Sequence, residues 1–402
     1  MGLTSAAAFV FLPNGMAAFA MTLVAGTLLV PQLLVQSWRQ YPRIFGSFAG
    51  VSLLVVGVAI MSMQATAQGW QTVDNYSRFL LLPWCAVLAF AAAPSRAWLW
   101  FGALAGVFIA CAMASMEMWW GIDRAGAGAN PIVFANAVLA LLVLAVYCRP
   151  QNDQSWALAL VIVTLVAGTA AIVMSGSRGA LPGLGMLVLV AAFGKGGRTA
   201  RFRLGLALLL LLVFLALLCT VPWLTTHMRL GNIQIDLMQY ADGHADSALG
   251  ARLQFLSLAW HAFVEHLWTG VGIDRFGTLV QQLPACRVQG PVVCTLGHAH
   301  NDLAQWSSTL GIPGLIAILA LYLVPAFNFM RIIVKGRLRV PLGCAWAGLM
   351  LVVVYVLSGL TQSMFSHAMT TSLYVVLIGL LLGLALREAN PATRGPERQS
   401  AR

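Results

Sequence analysis

The stretch Gly297-His298-Ala299-His300-Asn301-Asp302 gathers two imidazoles, a carboxamide and a carboxylate just before an apolar run that passes through Gly311-Ile312-Pro313-Gly314. Titratable groups where a polar loop re-enters a membrane are costly and call for a compensating role. Two histidines are the start of a metal site, but no other spacing in the chain supplies the remaining ligands, so no metal is expected. Asn301 or Asp302 can cap the helix that follows, which places His300 beside a helix N-terminus. The dipole there disfavours imidazolium and keeps the ring neutral, the state a general base requires. The structural alternative is a histidine that does no more than hydrogen-bond within an interfacial cap. Were the segment helical, His298 and His300 would point in different directions, and only one need act.

Two arginines are the next candidates. Arg178 lies in Ser175-Gly176-Ser177-Arg178-Gly179, a very short turn between two apolar runs. A cation at the centre of a membrane helix costs about 2.5–3.5 kcal/mol on insertion scales, less near the interface, so an anion that offsets it or a snorkelling side chain is expected. Arg252 lies in ARLQFLSLAWHAFVEHLW, residues 251–268, whose period is helical. The pattern predicts a narrow polar face of Gln254, Ser257, His261 and Glu265, and an apolar face of Leu256, Trp260, Phe263 and Leu267 on which Arg252 projects. His261 and His266 have neither the H-E-x-x-H nor the H-x-x-E-H spacing of zinc helices. Asp274 and Arg275 follow in Gly270-Val271-Gly272-Ile273-Asp274-Arg275-Phe276-Gly277, a glycine-rich turn able to cradle phosphate through backbone N–H groups, though it lacks the P-loop lysine. Asp123 and Arg124 are candidates to line an entry path, with a solvated loop the favoured reading.

These residues must be positioned by membrane helices. The chain of 402 residues is 60% hydrophobic and 9% charged, with mean hydropathy +0.85, which excludes a soluble domain. Apolar runs fall near residues 5–36, 44–64, 79–93, 97–116, 131–148, 155–174, 180–194, 204–223, 305–329, 341–360 and 371–386. Most are long enough to span about 30 Å of hydrocarbon. The first run is long, and Pro13-Asn14-Gly15 offers a break, so it crosses once or twice. The expected fold is therefore an all-α polytopic membrane protein of 11–12 transmembrane helices with one large outer loop containing amphipathic helices. The boundaries are 1–223 for the N-terminal bundle, 224–304 for the loop, 305–388 for the C-terminal helices and 389–402 for a tail. The N-terminus lacks the basic start of a cleavable leader.

Alternate connections differ sharply in charge. One side carries 16 of the 23 basic residues with three acids, and the other carries seven basic and nine acidic residues together with all seven histidines. The first side is read as cytoplasmic. The net charge of +11 is thus a signal of orientation and not of nucleic-acid binding. Trp70, Trp119 and Trp120 read as interfacial anchors. Cys286 and Cys294 share the outer loop and are expected to pair if it faces an oxidising compartment, whereas the other five cysteines lie in or beside apolar runs and read as packing residues.

His300-Asn301 followed by Gly311-Ile312-Pro313-Gly314 resembles the histidine motif of the bacterial O-antigen ligases, within a wider group that includes O-antigen polymerases and protein O-oligosaccharyltransferases. The turn at Arg178 and the Gly-x-Arg start at Arg252 look like the two functional arginines of that family. The resemblance implies a twelve-helix inner-membrane enzyme with both termini cytoplasmic. It also implies transfer of a polysaccharide from undecaprenyl pyrophosphate to a sugar of the lipid A core, at the periplasmic face and without metal or nucleotide. On that reading His300 is the base and Arg178 and Arg252 bind the pyrophosphate; His298, Asn301, Arg275 and Asp274 are secondary candidates. The nearest alternative is an O-antigen polymerase. A lipid or polysaccharide transporter is the alternative of a different class, without an internal repeat or a series of mid-span charges to favour it.

Overall fold

The computed structural model describes residues 7, 10–11, 15–150, 155–192, 198–228, 236, 238, 247–283, 286, 292–336 and 342–390. Regular structure among them is helical throughout, as expected in lipid, where backbone polar groups must be satisfied within each segment. The helices are α1 (Gly15–Leu29), α2 (Pro31–Gln40), α3 (Pro42–Ala65), α4 (Trp70–Ala92, with 3-10 turns in its first half), α5 (Arg96–Trp119), α6 (Pro131–Tyr147), α7 (Ser155–Met174) and α8 (Arg178–Ala192). They continue as α9 (Arg198–Thr220), α10 (Pro222–His227), α11 (Ala248–Glu265), α12 (Phe276–Gln281), α13 (Asp302–Gly336), α14 (Gly343–Gly359) and α15 (Ala368–Ala389). The eleven apolar runs of the sequence each become a helix or a bent helix pair. Six helices are long and apolar enough to cross a membrane, a seventh span results if the bent pair counts as one, and α6, α8, α14 and the end of α9 are shorter apolar helices. The protein is a multi-pass all-α membrane protein.

The described part of the first run is a bent pair of helices, which leaves a single crossing open. The chain turns by 87° between α1 and α2, at Val30-Pro31. Pro31 brings no N–H to continue the α1 ladder and disfavours helical geometry at Val30, which adopts φ −133°, ψ 44°. The earlier break considered at residues 13 and 14 lies outside the described residues, as do Lys195, Arg337, Arg339, His244 and the tail from residue 391.

The centre of the bundle is α15, buried along almost its whole length, with α6 beside it. Gly379 and Gly383 let α15 touch α4: a Cβ on Gly383 would lie 2.4 Å from the Ala86 carbonyl oxygen, and one on Gly379 would lie 2.7 Å from the Leu82 carbonyl oxygen. Small residues four apart at a close helix crossing are the usual solution where lipid removes the hydrophobic drive for helices to associate. The outer helices turn leucine, valine and methionine outward, among them Leu53, Met61, Val166 and Leu323, consistent with a lipid-facing belt. Trp70, Trp119 and Trp120 are exposed.

The faces of α11 depart from the sequence pattern. The buried stripe is Ala251, Phe255, Ala259 and Ala262, whereas Leu256 and Trp260 are exposed. The helix packs its small residues against α13 and the histidine segment, and its bulky side chains face away from the protein. Amphipathicity measured against water misassigned the buried side, because at a bilayer surface the greasy face need not be the packed one. Phe255 joins Phe276, Val280 and Ala299 in a small separate core, on which Cys286 packs; Cys286 and Cys294 form the expected disulfide.

Candidate active site

The approach to the histidines is built by a kink. Gly311 has φ 67°, ψ −154° inside α13, and a Cβ there would meet the Leu267 carbonyl oxygen at 2.5 Å. Ile312 N–H leaves the helical ladder and donates to Leu267 O at 2.7 Å, which frees Ser308 O; Pro313 has no N–H, which frees Thr309 O. Val271 N–H takes the first at 2.9 Å and Gly272 N–H the second at 3.0 Å. Ile273 N–H donates to Ser62 Oγ at 2.8 Å. The glycine-rich turn at 270–277 is therefore a clasp whose N–H groups are spent on α13 and α3, and not the phosphate cradle that its glycines suggested. Arg275 belongs to the same clasp and donates to Thr66 O at 2.8 Å. Asp274 is exposed, with partial burial pushing its carboxyl above the usual range.

The cap of α13 falls to Asn301, whose Oδ1 accepts from Ala304 N–H at 3.0 Å while Nδ2 donates to Leu360 O at 3.1 Å. Asp302 turns inward, accepting from Tyr322 hydroxyl at 2.7 Å and Phe365 N–H at 3.2 Å, and ties α13 to the loop between α14 and α15. Gln305 Oε1 accepts from Ala299 N–H at 2.7 Å and folds the histidine segment back over the helix. The segment is thus not helical. His300 takes the left-handed conformation, φ 52°, and the two imidazoles meet with centroids 4.2 Å apart instead of diverging.

A third imidazole, His367, lies 5.1 Å from His298. Gln362 links the remaining pair: its Oε1 lies 2.6 Å from His300 Nδ1 and its Nε2 lies 2.8 Å from His367 Nε2. An amide oxygen only accepts, so His300 carries its proton on Nδ1 and leaves Nε2 with a lone pair. Burial, then the neighbouring charges of Arg252 and His367, lower His300 to about 4 against the opposing pull of the Gln362 hydrogen bond. His298 is lowered to about 3, chiefly by burial, and His367 is lowered by burial too. All three are neutral at pH 7.

Phe255 lies parallel to the His300 ring at 6.2 Å, and Arg252 sits one turn earlier on the same helix, near enough for its charge to act on His300. The turn bearing Arg178 is held by Ser177 Oγ donating to Pro131 O at 3.0 Å and by Ser175 Oγ accepting from Ser177 N–H. Arg178, Arg252 and Arg124 then line one small pocket with Gly176, Gly179 and Thr361. Arg252 has no ion-pair partner among the described residues; its principal charged neighbour is Arg178, and burial together with that like charge lowers its pKa. Like charges brought together out of water favour an anion between them.

Arg124 was missed as a site residue. Its loop is not loosely solvated: Glu117 accepts from the N–H groups of Gly126, Ala127 and Gly128 at 2.7, 3.0 and 3.1 Å, and Arg124 Nε donates to Ser175 O at 3.0 Å. Gln362 and His367 were missed as well. A glutamine and a histidine between two apolar runs were the only signal, and nothing in their spacing points to His300. Among the described residues no group of three His, Cys, Asp or Glu side chains is arranged to hold a metal ion. Below the arginines an apolar groove of about 770 Å³ runs between α7, α8 and α9, with Val173 and Leu181 at its lining on either side of the Arg178 turn and Leu184, Leu211 and Phe214 further along.

A small pocket lined by three arginines thus lies close to a cluster of three imidazoles and beside an apolar groove, in a multi-pass helical membrane protein. Residues 161–319, which include Arg178, Arg252 and His300, are similar to the O-antigen ligase family. No curated protein matches the chain.

Proposed function

We propose that the protein is an inner-membrane O-antigen ligase, an inverting glycosyltransferase that moves O-antigen polysaccharide from undecaprenyl pyrophosphate to a sugar of the lipid A core at the periplasmic face. The observation that carries this reading is that Arg252 lines one pocket with Arg178 and also lies within electrostatic reach of a neutral imidazole, His300, fixed by Gln362. The pyrophosphate lies against the two guanidinium groups, whose forked donors suit phosphoryl oxygens. The polyprenyl chain follows the apolar groove between α7, α8 and α9.

The acceptor hydroxyl oxygen attacks the anomeric carbon from the face opposite the leaving group, and its proton passes to His300 Nε2. The bond from the anomeric carbon to the pyrophosphate oxygen breaks, and the electron pair departs with the pyrophosphate. Arg178 and Arg252 stabilise that departing charge, so a carboxylic acid to protonate the leaving group is unnecessary. A base near 4 is weak for this task. The diphosphate corrects this in part, because its charge offsets the Arg252 guanidinium that helps hold His300 down.

Reconstitution in liposomes with lipid A core and undecaprenyl-pyrophosphate glycan, with and without a chelator, tests the reading. The expected product is an inverted glycosidic bond formed equally in chelator, with His300→Ala reducing transfer by about 10²–10⁴-fold. Transfer that depends on added metal removes the base-only mechanism. Elongation of the lipid-linked glycan, with lipid A core ignored, assigns a polymerase instead.

A further inference from the structure

At the opposite end of the bundle a second cationic cavity, of about 500 Å³, opens where α2 turns into α3 and where α13 and α15 end. Arg43, Arg331 and Lys335 line it, with Gln40 beside them and Ile332 and Leu386 forming apolar wall. The three cations come from two helices, are exposed, and among the described residues have no hydrogen-bond or ion-pair partner. The first turn of the 24-residue α3, which contributes Arg43, has no side-chain cap and no acid, so the positive end of its dipole adds to the same field. Two other cations at this end are satisfied: Arg96 pairs with Glu388 at 2.9 Å and Arg387 donates to Phe90 O at 2.8 Å.

We infer that this cavity binds the phosphate headgroup of an anionic phospholipid, with Arg43, Arg331 and Lys335 as its ligands. A lipid, and not a soluble anion, is indicated by position and lining. The helix α2 lies at 87° to α1 and exposes Leu33, Val35 and Trp38, the disposition of a helix lying in the membrane interface. The cavity opens at its end, so the charges sit at headgroup depth while Ile332 and Leu386 meet the first carbons of an acyl chain. Basic pockets between helices at a membrane surface have this chemistry, with about 1 kcal/mol per Lys or Arg. The site is separate from the histidine pocket and does not depend on the proposed transferase reaction.

The test measures thermal stability of the full-length protein in phosphatidylcholine nanodiscs as phosphatidylglycerol is titrated in. Wild type should be stabilised at low mole fraction. Joint Arg43→Gln, Arg331→Gln and Lys335→Gln substitution should raise the phosphatidylglycerol needed on the order of a hundredfold, about fivefold per cation,. A control carrying Arg394→Gln, Arg398→Gln and Arg402→Gln loses the same charge and should respond like wild type. Because all three cations are exposed, the triple variant should fold; Lys335→Gln alone, with a fivefold shift, gives a milder second reading. Equal loss in the control, equal stabilisation by inorganic phosphate, or no preference for phosphatidylglycerol over phosphatidylcholine would overturn the assignment.

Discussion

The two ends of the bundle carry the same kind of charge under opposite conditions. At one end Arg178 and Arg252 are half-buried and line one small pocket. At the other, Arg43, Arg331 and Lys335 are exposed around a wider cavity. Desolvation makes the difference. Cations held together out of water acquire a strong preference for a particular anion in a particular place, whereas exposed cations recognise a charged surface and tolerate many arrangements.

That contrast can be broken directly by exchanging arginine for lysine. Arg252→Lys or Arg178→Lys keeps the charge but loses the fork, and each should lower glycosyl transfer by about 10²-fold or more. Arg39→Lys, on exposed α2 at the other end, should leave the rate within about twofold, measured in the same reconstituted assay. Equal effects at the two ends would mean that burial does not distinguish them.

A smaller effect, and a sharper one, comes from Gln362. Its hydrogen bond raises His300 against the burial that lowers it, so Gln362→Ala should move the acid limb of kcat/KM to lower pH and reduce the rate about tenfold by releasing the ring. Gln362→Glu places a carboxylate on Nδ1–H and should move the same limb upward, toward neutrality. An acid limb that does not respond to either change would mean that the limb reports a group other than His300.

The scaffold prediction concerns Gly311. Gly311→Ala forces a Cβ into left-handed backbone and against Leu267 O, and should destabilise by about 1–3 kcal/mol, read as a fall in melting temperature. A further expectation concerns stability against pH. His298 and His300 are lowered to about 3 and 4 and His367 is lowered too, so the unfolded chain binds protons near 6.5 before the native protein does. Stability from these three groups is present above about 6.5 and falls as pH is lowered toward 4. A melting temperature that rises on acidification through this window would contradict their burial as neutral rings.

Much of the architecture was legible because each membrane helix must be apolar along its length and must satisfy its own backbone. The same rule made Arg178, Arg252 and His300 visible, since a charge or imidazole beside an apolar run stands out against its neighbours. The rest was hidden for identifiable reasons. Gln362 and His367 meet His300 across about sixty residues of chain, through an Asp302 carboxylate that anchors the intervening loop. The turn at 270–277 looked like a phosphate cradle because the carbonyls that occupy its N–H groups exist only once Gly311 and Pro313 break α13. Arg124 looked solvated because the carboxylate that orders its loop, Glu117, belongs to the end of the preceding helix.

The sequence by itself determined that the chain is a bundle of apolar helices, where those helices fall, and that its basic residues gather on one side of them, because transfer free energies act on each segment independently. Only the tertiary structure decided that the two guanidinium groups share a pocket, which nitrogen of His300 is left to take a proton, and which face of α11 is packed. Those outcomes depend on hydrogen bonds and close contacts between segments distant in the chain, and no local preference encodes them.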